Sequence, residues 1–436
     1  MKVLILLILY LSLFFISAKY LKMKNDEKDN LIILLTILFA LSFNLSLGFE
    51  QFLDDEHSVG RVHSGFIAIV ACFVIFFNKR MFQLRKEWIF ILPLFIISLY
   101  DLFFRVDDYV RFLTITHTYI SILLLYLIFK GIDKFDINRI LNGFNYLAIF
   151  NGILSIAQYV TGKKLLLGNF NDSIIYTEGL VVTKRAVGLA GTNNSAGTFA
   201  ALLVAVTLYN VAKRKDKLSI ISLVLTLIAA ILTLTRSAYG AILVELMIFI
   251  AVIIYKNRDK FYRYIKFVVI GTILVVLGLF FSRNLIYQKL FLERGDTTSS
   301  RFTQYERTFN NIVPDHFLFG IGSGQYRTYL LKHFSIRDID IHSQYLNVLV
   351  ESGFIIFVLF VILNLALVIK IVTSNCDWIL KTITACIFIA NLMCANFTPS
   401  QYYYLNNIIY FLIMFAIYFE ARKFPKETKF FGLEKS

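Results

Sequence analysis

The chain has 436 residues, of which 58% are hydrophobic and only 17% charged, with a mean hydropathy of +0.69. An average soluble domain is about a quarter charged, so this composition excludes a soluble globule. A net charge of +15 would suggest nucleic acid for a soluble chain. In a membrane protein it raises instead the question of how Lys and Arg divide between loops, and no nucleic-acid partner is expected. Cys72, Cys386 and Cys394 lie in apolar runs and Cys376 in a short loop. With no CxxC pair and no Cys/His cluster, neither a disulfide framework nor a zinc site is supported, and no metal or other cofactor is expected.

A spanning helix needs about 20 apolar residues. Runs that meet or approach this length recur from end to end, at 2–17, 31–49, 64–78, 88–104, 112–130, 141–160, 186–209, 218–234, 237–255, 265–282, 343–369, 379–396 and 403–419. The first has only Lys2 ahead of it and a poor cleavage site at Ser17-Ala18, so it is expected to stay as a helix. The predicted fold is all-α: a polytopic transmembrane helical bundle of about 12–13 spans. It forms a single membrane domain over 1–436, with one long polar loop over 283–342.

Alternate loops differ in charge. One set carries Lys19/Lys22/Lys24/Lys28, Lys79/Arg80/Arg85/Lys86, Lys130/Lys134/Arg139, Lys213/Arg214/Lys215/Lys217, Lys256/Arg258/Lys260/Arg263/Lys266, Lys370/Lys381 and the tail after Glu420. The positive-inside rule places this set, and the C-terminus, in the cytoplasm. The other set begins with Asp54-Asp55-Glu56 and holds residues 161–185, the tight turn Thr235-Arg236-Ser237 and the long loop. Those three outward segments nevertheless carry Lys163, Lys164, Lys184, Arg185, Arg236 and several arginines of the long loop. Outward Arg suggests an anionic ligand, because the planar guanidinium fork binds phosphate in a bidentate way.

Each candidate residue has a plain reading beside its functional one. Arg185 opens a segment with Gly188, Gly191, Asn193, Asn194 and Gly197. This is either an interfacial Arg before a tightly packed helix or an irregular backbone lining a cavity. Arg236 is either a surface-turn residue or a charge facing a cavity. Glu245, nine residues on, falls on the opposite helix face from Arg236 and is expected to meet another helix. Phe302, Tyr305, Phe309 and Ile312 recur at helical spacing, predicting an amphipathic helix at the outer interface closed by Pro314. Gly320-Ile-Gly322-Ser-Gly324 is weak as a phosphate loop, since no strand precedes it, and its plain reading is a flexible turn. His342 ends the long loop directly before an apolar run. It is either an interfacial polar residue or a proton acceptor for an outward-facing, lipid-borne substrate.

Four elements in this order resemble the O-antigen ligase/polymerase superfamily, bacterial membrane glycosyltransferases acting on undecaprenyl-diphosphate-linked glycans. Arg185…Gly188…Asn193-Asn194 is similar to the family's Arg-x-x-Gly…Asn helix start. Thr235-Arg236-Ser237, continuing to Tyr239, is similar to its Ser-Arg turn. Pro314…Phe319-Gly320-Ile-Gly322 resembles its Pro…Phe-Gly-hydrophobic-Gly loop. His342-Ser343-Gln-Tyr345-Leu…Glu351-Ser-Gly353 resembles its His-Asn-x-Tyr-Leu…Glu-x-Gly, with Ser343 in place of Asn. The resemblance covers roughly 185–355.

It implies a GT-C-like bundle in the bacterial cytoplasmic (inner) membrane, with short helices in an extracytoplasmic loop that forms part of the active site. It also implies metal-independent glycosyl transfer from a lipid-diphosphate-linked donor. His342 would be the base, and Arg185, Arg236 and Arg301 would hold the diphosphate. Asn193, Asn194, Tyr239, Gly322, Tyr345 and Glu351 would support them. The implied partners are an undecaprenyl-diphosphate-linked glycan donor, an acceptor glycan, the bilayer and other polysaccharide-export proteins. A polymerase of repeat units for capsule, exopolysaccharide or O-antigen is the favoured activity. Within the family the alternative is an O-antigen ligase or protein O-oligosaccharyltransferase. From another class it is a polysaccharide or lipid flippase, which would require an internal repeat with paired broken helices.

Overall fold

A computed structural model describes residues 36–41, 43–53, 56–83, 88–132, 135–166, 172–178, 181–258 and 298–424, together with residue 8. The expected spans 2–17 (Ile8 apart) and 265–282, and residues 283–297 of the long loop, lie outside the described residues. In chain order the elements are β1 (Ser46–Leu53), β2 (Glu56–His63), α1 (Ser64–Ile75), α2 (Trp88–Phe104), α3 (Tyr109–Gly131), α4 (Ile137–Thr161), β3 (Ile175–Glu178) and β4 (Val181–Lys184). They continue with α5 (Asn193–Arg214), α6 (Lys217–Leu232), α7 (Arg236–Lys256), α8 (Thr298–Asn311), the single turn α9 (Val313–His316), α10 (Tyr326–Phe334), α11 (Gln344–Thr373), α12 (Trp378–Ala395) and α13 (Tyr404–Ala421).

The fold is that of an all-α polytopic membrane protein. Among the described residues, 7 helices are long and apolar enough to span a bilayer: α3, α4, α5, α7, α11, α12 and α13. The shorter α1, α2 and α6 fall on three further expected spans. Nearly the whole of α5 and α13 is buried, whereas most of α7 and α11 faces outward. A helix apolar on all sides belongs at the centre of a bundle or against lipid, and these two pairs take those two places. Glu245 is buried on α7 against α12, where Cys386 Sγ lies 3.6 Å from the Glu245 carbonyl. It therefore does meet another helix.

Two departures concern backbone polar groups. Of the expected span 31–49, the described residues 36–41 and 43 are helical, and its end from Ser46 is the first strand of the hairpin β1–β2. A second hairpin, β3–β4, precedes Arg185. Both hairpins pair their N–H and C=O groups locally, which lets non-helical chain lie against the bundle. The expected span 186–209 starts later, because 185–192 is irregular. Two side chains of α4 satisfy that stretch: Asn151 accepts from Leu189 N–H at 2.9 Å, and Gln158 accepts from Val187 N–H at 3.1 Å while donating to the Gly188 carbonyl at 3.1 Å. Irregular backbone within a membrane protein is tolerated only with such partners.

The loops collect at two ends, as the charge pattern requires. At one end Lys213 pairs with Asp377, Lys130 donates to the Gln83 carbonyl, and Lys423 Nζ donates to the Phe135 carbonyl at 3.1 Å. At the other end lie β1–β2, residues 185–192 and 233–237, the 298–343 segment and residues 396–404. Reporter fusions at residues 164 and 310 should therefore score extracytoplasmic, and fusions at 215 and 376 cytoplasmic. A cytoplasmic signal from residue 310 overturns this topology.

Candidate functional site

Arg185 is only 2% exposed. Its Nε donates to the Thr233 carbonyl at 2.9 Å, and one Nη donates to the Leu234 carbonyl and Asn194 Oδ1, each at 3.3 Å, and to Thr235 Oγ1 at 3.4 Å. Those carbonyls follow the C-terminus of α6, where helix carbonyls have no partner along the chain and a cation is favoured. Arg185 thus ties the end of α6 to the start of α5. The Thr235 hydroxyl donates to the Asn193 carbonyl at 3.0 Å, closing the same corner, while Asn193 Oδ1 accepts from Asn194 N–H at 2.7 Å. The turn delivers Arg236, half-buried, as the first residue of α7. A cation at a helix N-terminus opposes the macrodipole, so the position is unfavourable without an anion to share. Tyr239, one turn on, donates from its hydroxyl to the Ile231 carbonyl at 2.6 Å and braces α7 on α6.

The second corner is built on a buried carboxylate. Glu351 on α11 accepts from Gly324 N–H at 2.8 Å, Tyr326 N–H at 3.2 Å and the Tyr402 hydroxyl at 3.1 Å. Asp101 on α2 accepts from Ser323 through N–H at 3.0 Å and hydroxyl at 2.6 Å, and Arg105 donates to the Phe319 and Gly320 carbonyls. The glycine-rich segment is therefore a clamped turn, not a flexible one. Its backbone also runs along α11: Ile321 and Gly322 N–H donate to the Val350 and Glu351 carbonyls, each at 2.9 Å, and Phe354 N–H donates to the Phe317 carbonyl at 2.8 Å. Gly320 and Gly353 face each other there with φ of 68° and 83°. A Cβ on either would meet the other segment's backbone carbonyl, Glu351 or Leu318 respectively.

His342, half-buried, is held by its backbone. Its N–H donates to Gln304 Oε1 at 3.1 Å, and its carbonyl accepts from the Tyr305 hydroxyl at 2.9 Å. Burial first, and then the neighbouring Arg301 guanidinium, push the imidazole down to about 4 against an upward pull from Asp338. The ring is therefore neutral at physiological pH. Ser343 N-caps α11 by accepting from Leu346 N–H at 3.3 Å. Ser and Asn are comparably good caps, so Ser343 fills a position that either residue can hold. Tyr345 points instead into the bundle, its ring 6.0 Å from that of Phe360.

Helix α8 is amphipathic as expected, but it packs through Gln304 and Thr308, with Ile312 buried just beyond its end, and leaves Phe302 and Phe309 exposed. The Tyr305 hydroxyl also reaches the Asn396 carbonyl at 3.3 Å, and Cys394 on α12 lies beside Thr198 of α5 and Ser237 of α7. The end of α12 thus stands between the Arg236 corner and the His342 corner.

A cavity of about 460 Å3 lies on the same end, lined among others by Arg61, His63, Arg111, Lys164, Ser195 and Asp340. None of Arg185, Arg236, Arg301 or His342 lines it. Of its residues, sequence reasoning singled out only Lys164 and Gly191, and it missed Asp101, Arg105, Asn151 and Gln158. The signal available was an ionisable or amide group inside an apolar run, as for Asp101, or at the edge of one, as for Arg111.

Residues 221–361 match the family model described as O-Antigen ligase. The match spans about a third of the chain and takes in the Arg236 turn, the glycine-rich segment and His342. It bears out the resemblance to the O-antigen ligase/polymerase superfamily and supports a membrane enzyme of that type. No curated protein matches the chain.

The facing glycines give a stability test. Gly320→Ala and Gly353→Ala should each cost about 1–3 kcal/mol through strained backbone. Gly48→Ala, whose new Cβ meets nothing within 4 Å, should be near neutral. Thermal unfolding of the detergent-purified protein measures this, and equal melting temperatures for all three would show that the turn is not clamped.

Proposed function

We propose that this protein is a membrane glycosyltransferase that polymerises undecaprenyl-diphosphate-linked oligosaccharide repeat units into a surface polysaccharide. The reaction takes place at the extracytoplasmic face of the bacterial cytoplasmic membrane, with the 283–342 loop as part of the site. The observation that carries this reading is a neutral imidazole beside a guanidinium at the mouth of the bundle, within the segment that matches the family.

In the proposed step, an acceptor hydroxyl oxygen bonds to the donor's anomeric carbon as the bond from that carbon to the diphosphate oxygen breaks. His342 takes the hydroxyl proton. The diphosphate leaves on undecaprenol with its bonding electron pair, and the arginines match its charge without a metal. Arg236 meets it with the positive end of α7 behind, Arg301 from the side of His342, and the buried Arg185 adds charge while fixing the Arg236 turn. Asn193 and Asn194 shape that corner, and Glu351 and Gly322 hold the one carrying His342. An imidazole near 4 is a weak base. A diphosphate bound to Arg301 offsets the guanidinium charge and raises the basicity of His342, so the base strengthens when the donor is in place.

Removing a general base costs about 10²–10⁴-fold in rate. His342→Ala should abolish long chains while single repeat units accumulate on undecaprenyl diphosphate and still bind. Arg236→Lys keeps the charge and loses the fork, so polymer should fall strongly at normal protein level. Full activity of His342→Ala refutes the base, and transfer of preformed chains to a lipid A core or to protein identifies a ligase instead.

The pH dependence follows from the sign of the His342 shift. Its base-competent form exists above about 4 and is lost as pH falls through that value. The acid limb of kcat/KM should lie there, and Arg301→Gln should move it to higher pH by removing the cation that disfavours imidazolium. A limb that stays in place, or moves down, breaks the proposed coupling.

A further inference from the structure

The cavity that the transfer site leaves unused is a built compartment. Gln51 on β1 donates to the Asp107 carbonyl at 3.0 Å and accepts from Tyr109 N–H at 2.9 Å, and Arg61 N–H on β2 donates to Thr114 Oγ1 at 3.2 Å. These bonds fix the hairpin as a wall against α3. Its volume falls within the roughly 300–1,000 Å3 of small-molecule sites.

The lining points to one ligand chemistry. Three cations, Arg61, Arg111 and Lys164, face two carboxylates, Asp172 and Asp340. Arg111 pairs with Asp340 and lies over the Tyr402 ring at 4.6 Å. Asp340 also pairs with Arg327 at 3.3 Å, so a modest positive excess remains, but the carboxylates standing among the cations suit hydroxyls better than a polyanion. His63 stacks on Tyr404 with centroids 4.9 Å apart, and its buried Nδ1 has no hydrogen-bond partner among the described residues. Burial, followed by His117 and Arg61, drives that imidazole down to about 3, so it meets a ligand neutral, with one donor and one acceptor nitrogen. Planar acid, guanidinium and imidazole groups beside tyrosine rings match vicinal hydroxyls and the apolar faces of sugar rings. The compartment also adjoins the transfer site, since Asp340 lies two residues before His342 and Ser195 follows Asn194.

We propose that this cavity is a saccharide subsite, which holds sugar rings of the lipid-linked glycan away from the carbon that reacts. The proposal rests on the glycosyl-transfer reading for its ligand, and either the donor or the acceptor glycan supplies the same chemistry. The test uses full-length protein in nanodiscs and the repeat-unit oligosaccharide released by mild acid from the producing cell's lipid-linked intermediates, which carries neither lipid nor diphosphate. By saturation-transfer NMR and calorimetry the wild type should bind it. Gly48→Trp, which fills the cavity from a position where an added Cβ meets nothing within 4 Å, should weaken binding at least about tenfold. Arg61→Ala should weaken it too, while Gly48→Ala and Arg236→Lys should leave it unchanged.

Absence of binding to the wild type overturns the proposal. So does a Gly48→Trp variant that melts like the wild type and binds equally well, or displacement of the oligosaccharide by inorganic pyrophosphate. Competition of the free oligosaccharide against a lipid-linked chain supports a donor-glycan subsite, and competition against the single lipid-linked unit supports an acceptor subsite. Failure of the underlying reading is separable: Gly48-dependent binding by a wild-type protein that joins no lipid-linked repeat units removes the transferase assignment and leaves the saccharide site standing.

Discussion

A carboxylate buried at the end of a helical bundle must be met by donors, or its desolvation is not compensated. Glu351 is met by two backbone N–H groups of the segment after α9 and by the Tyr402 hydroxyl, with the charge of Arg111 nearby. Much of the polar end follows from that one group. It seats the glycine-rich turn on α11, and Asp101 and Arg105 then hold the same turn from α2. With the turn fixed, α10 and the chain that leads back to α11 have a defined course. His342 therefore arrives at the bundle mouth with both backbone groups bonded to α8.

The Arg185 corner obeys the same rule with the charges reversed. A buried guanidinium there is surrounded by carbonyls that a helix end leaves over. Hydrogen bonds to charged groups are the stronger kind, so each corner is rigid without needing a large apolar core of its own. That rigidity matters for the proposed transfer, in which arginines hold the leaving diphosphate while an imidazole faces the acceptor hydroxyl. A loop free to move would lose the geometric advantage that positioning confers.

The bundle was largely legible because lipid dictates it: long apolar runs are the only way to cover a spanning backbone, and Lys and Arg mark one end of it. The Arg236 turn and the amphipathic α8 were legible from local spacing. What stayed hidden depends on contacts between distant parts of the chain. Nothing near Gly188 announces that Asn151 and Gln158 will satisfy its neighbours, so a helix was expected to start too early. Nothing within 320–324 shows that Asp101, Arg105 and Glu351 will converge on it, so a clamp read as a flexible turn. The hairpin β1–β2 was obscured because its first residues, Ser46 to Phe49, continue an apolar run. The cavity it walls is assembled from seven separated stretches of chain and has no motif at all.

The positive φ at Gly353 divides α11 into two mechanical parts. The part before it is fastened by side chains and backbone to the polar loops, and the part after it is an apolar rod on the rim of the bundle. Spanning helices adjust their tilt to the thickness of the surrounding bilayer. Here the rod is held on its inner side by Ile356, Phe360, Leu363 and Leu367, and the Tyr410 hydroxyl donates to Asn364 Oδ1 at 2.8 Å. The break at Gly353 therefore sets the direction in which the rod leaves the polar end, and the Phe317–Phe354 hydrogen bond ties that direction to the glycine-rich turn.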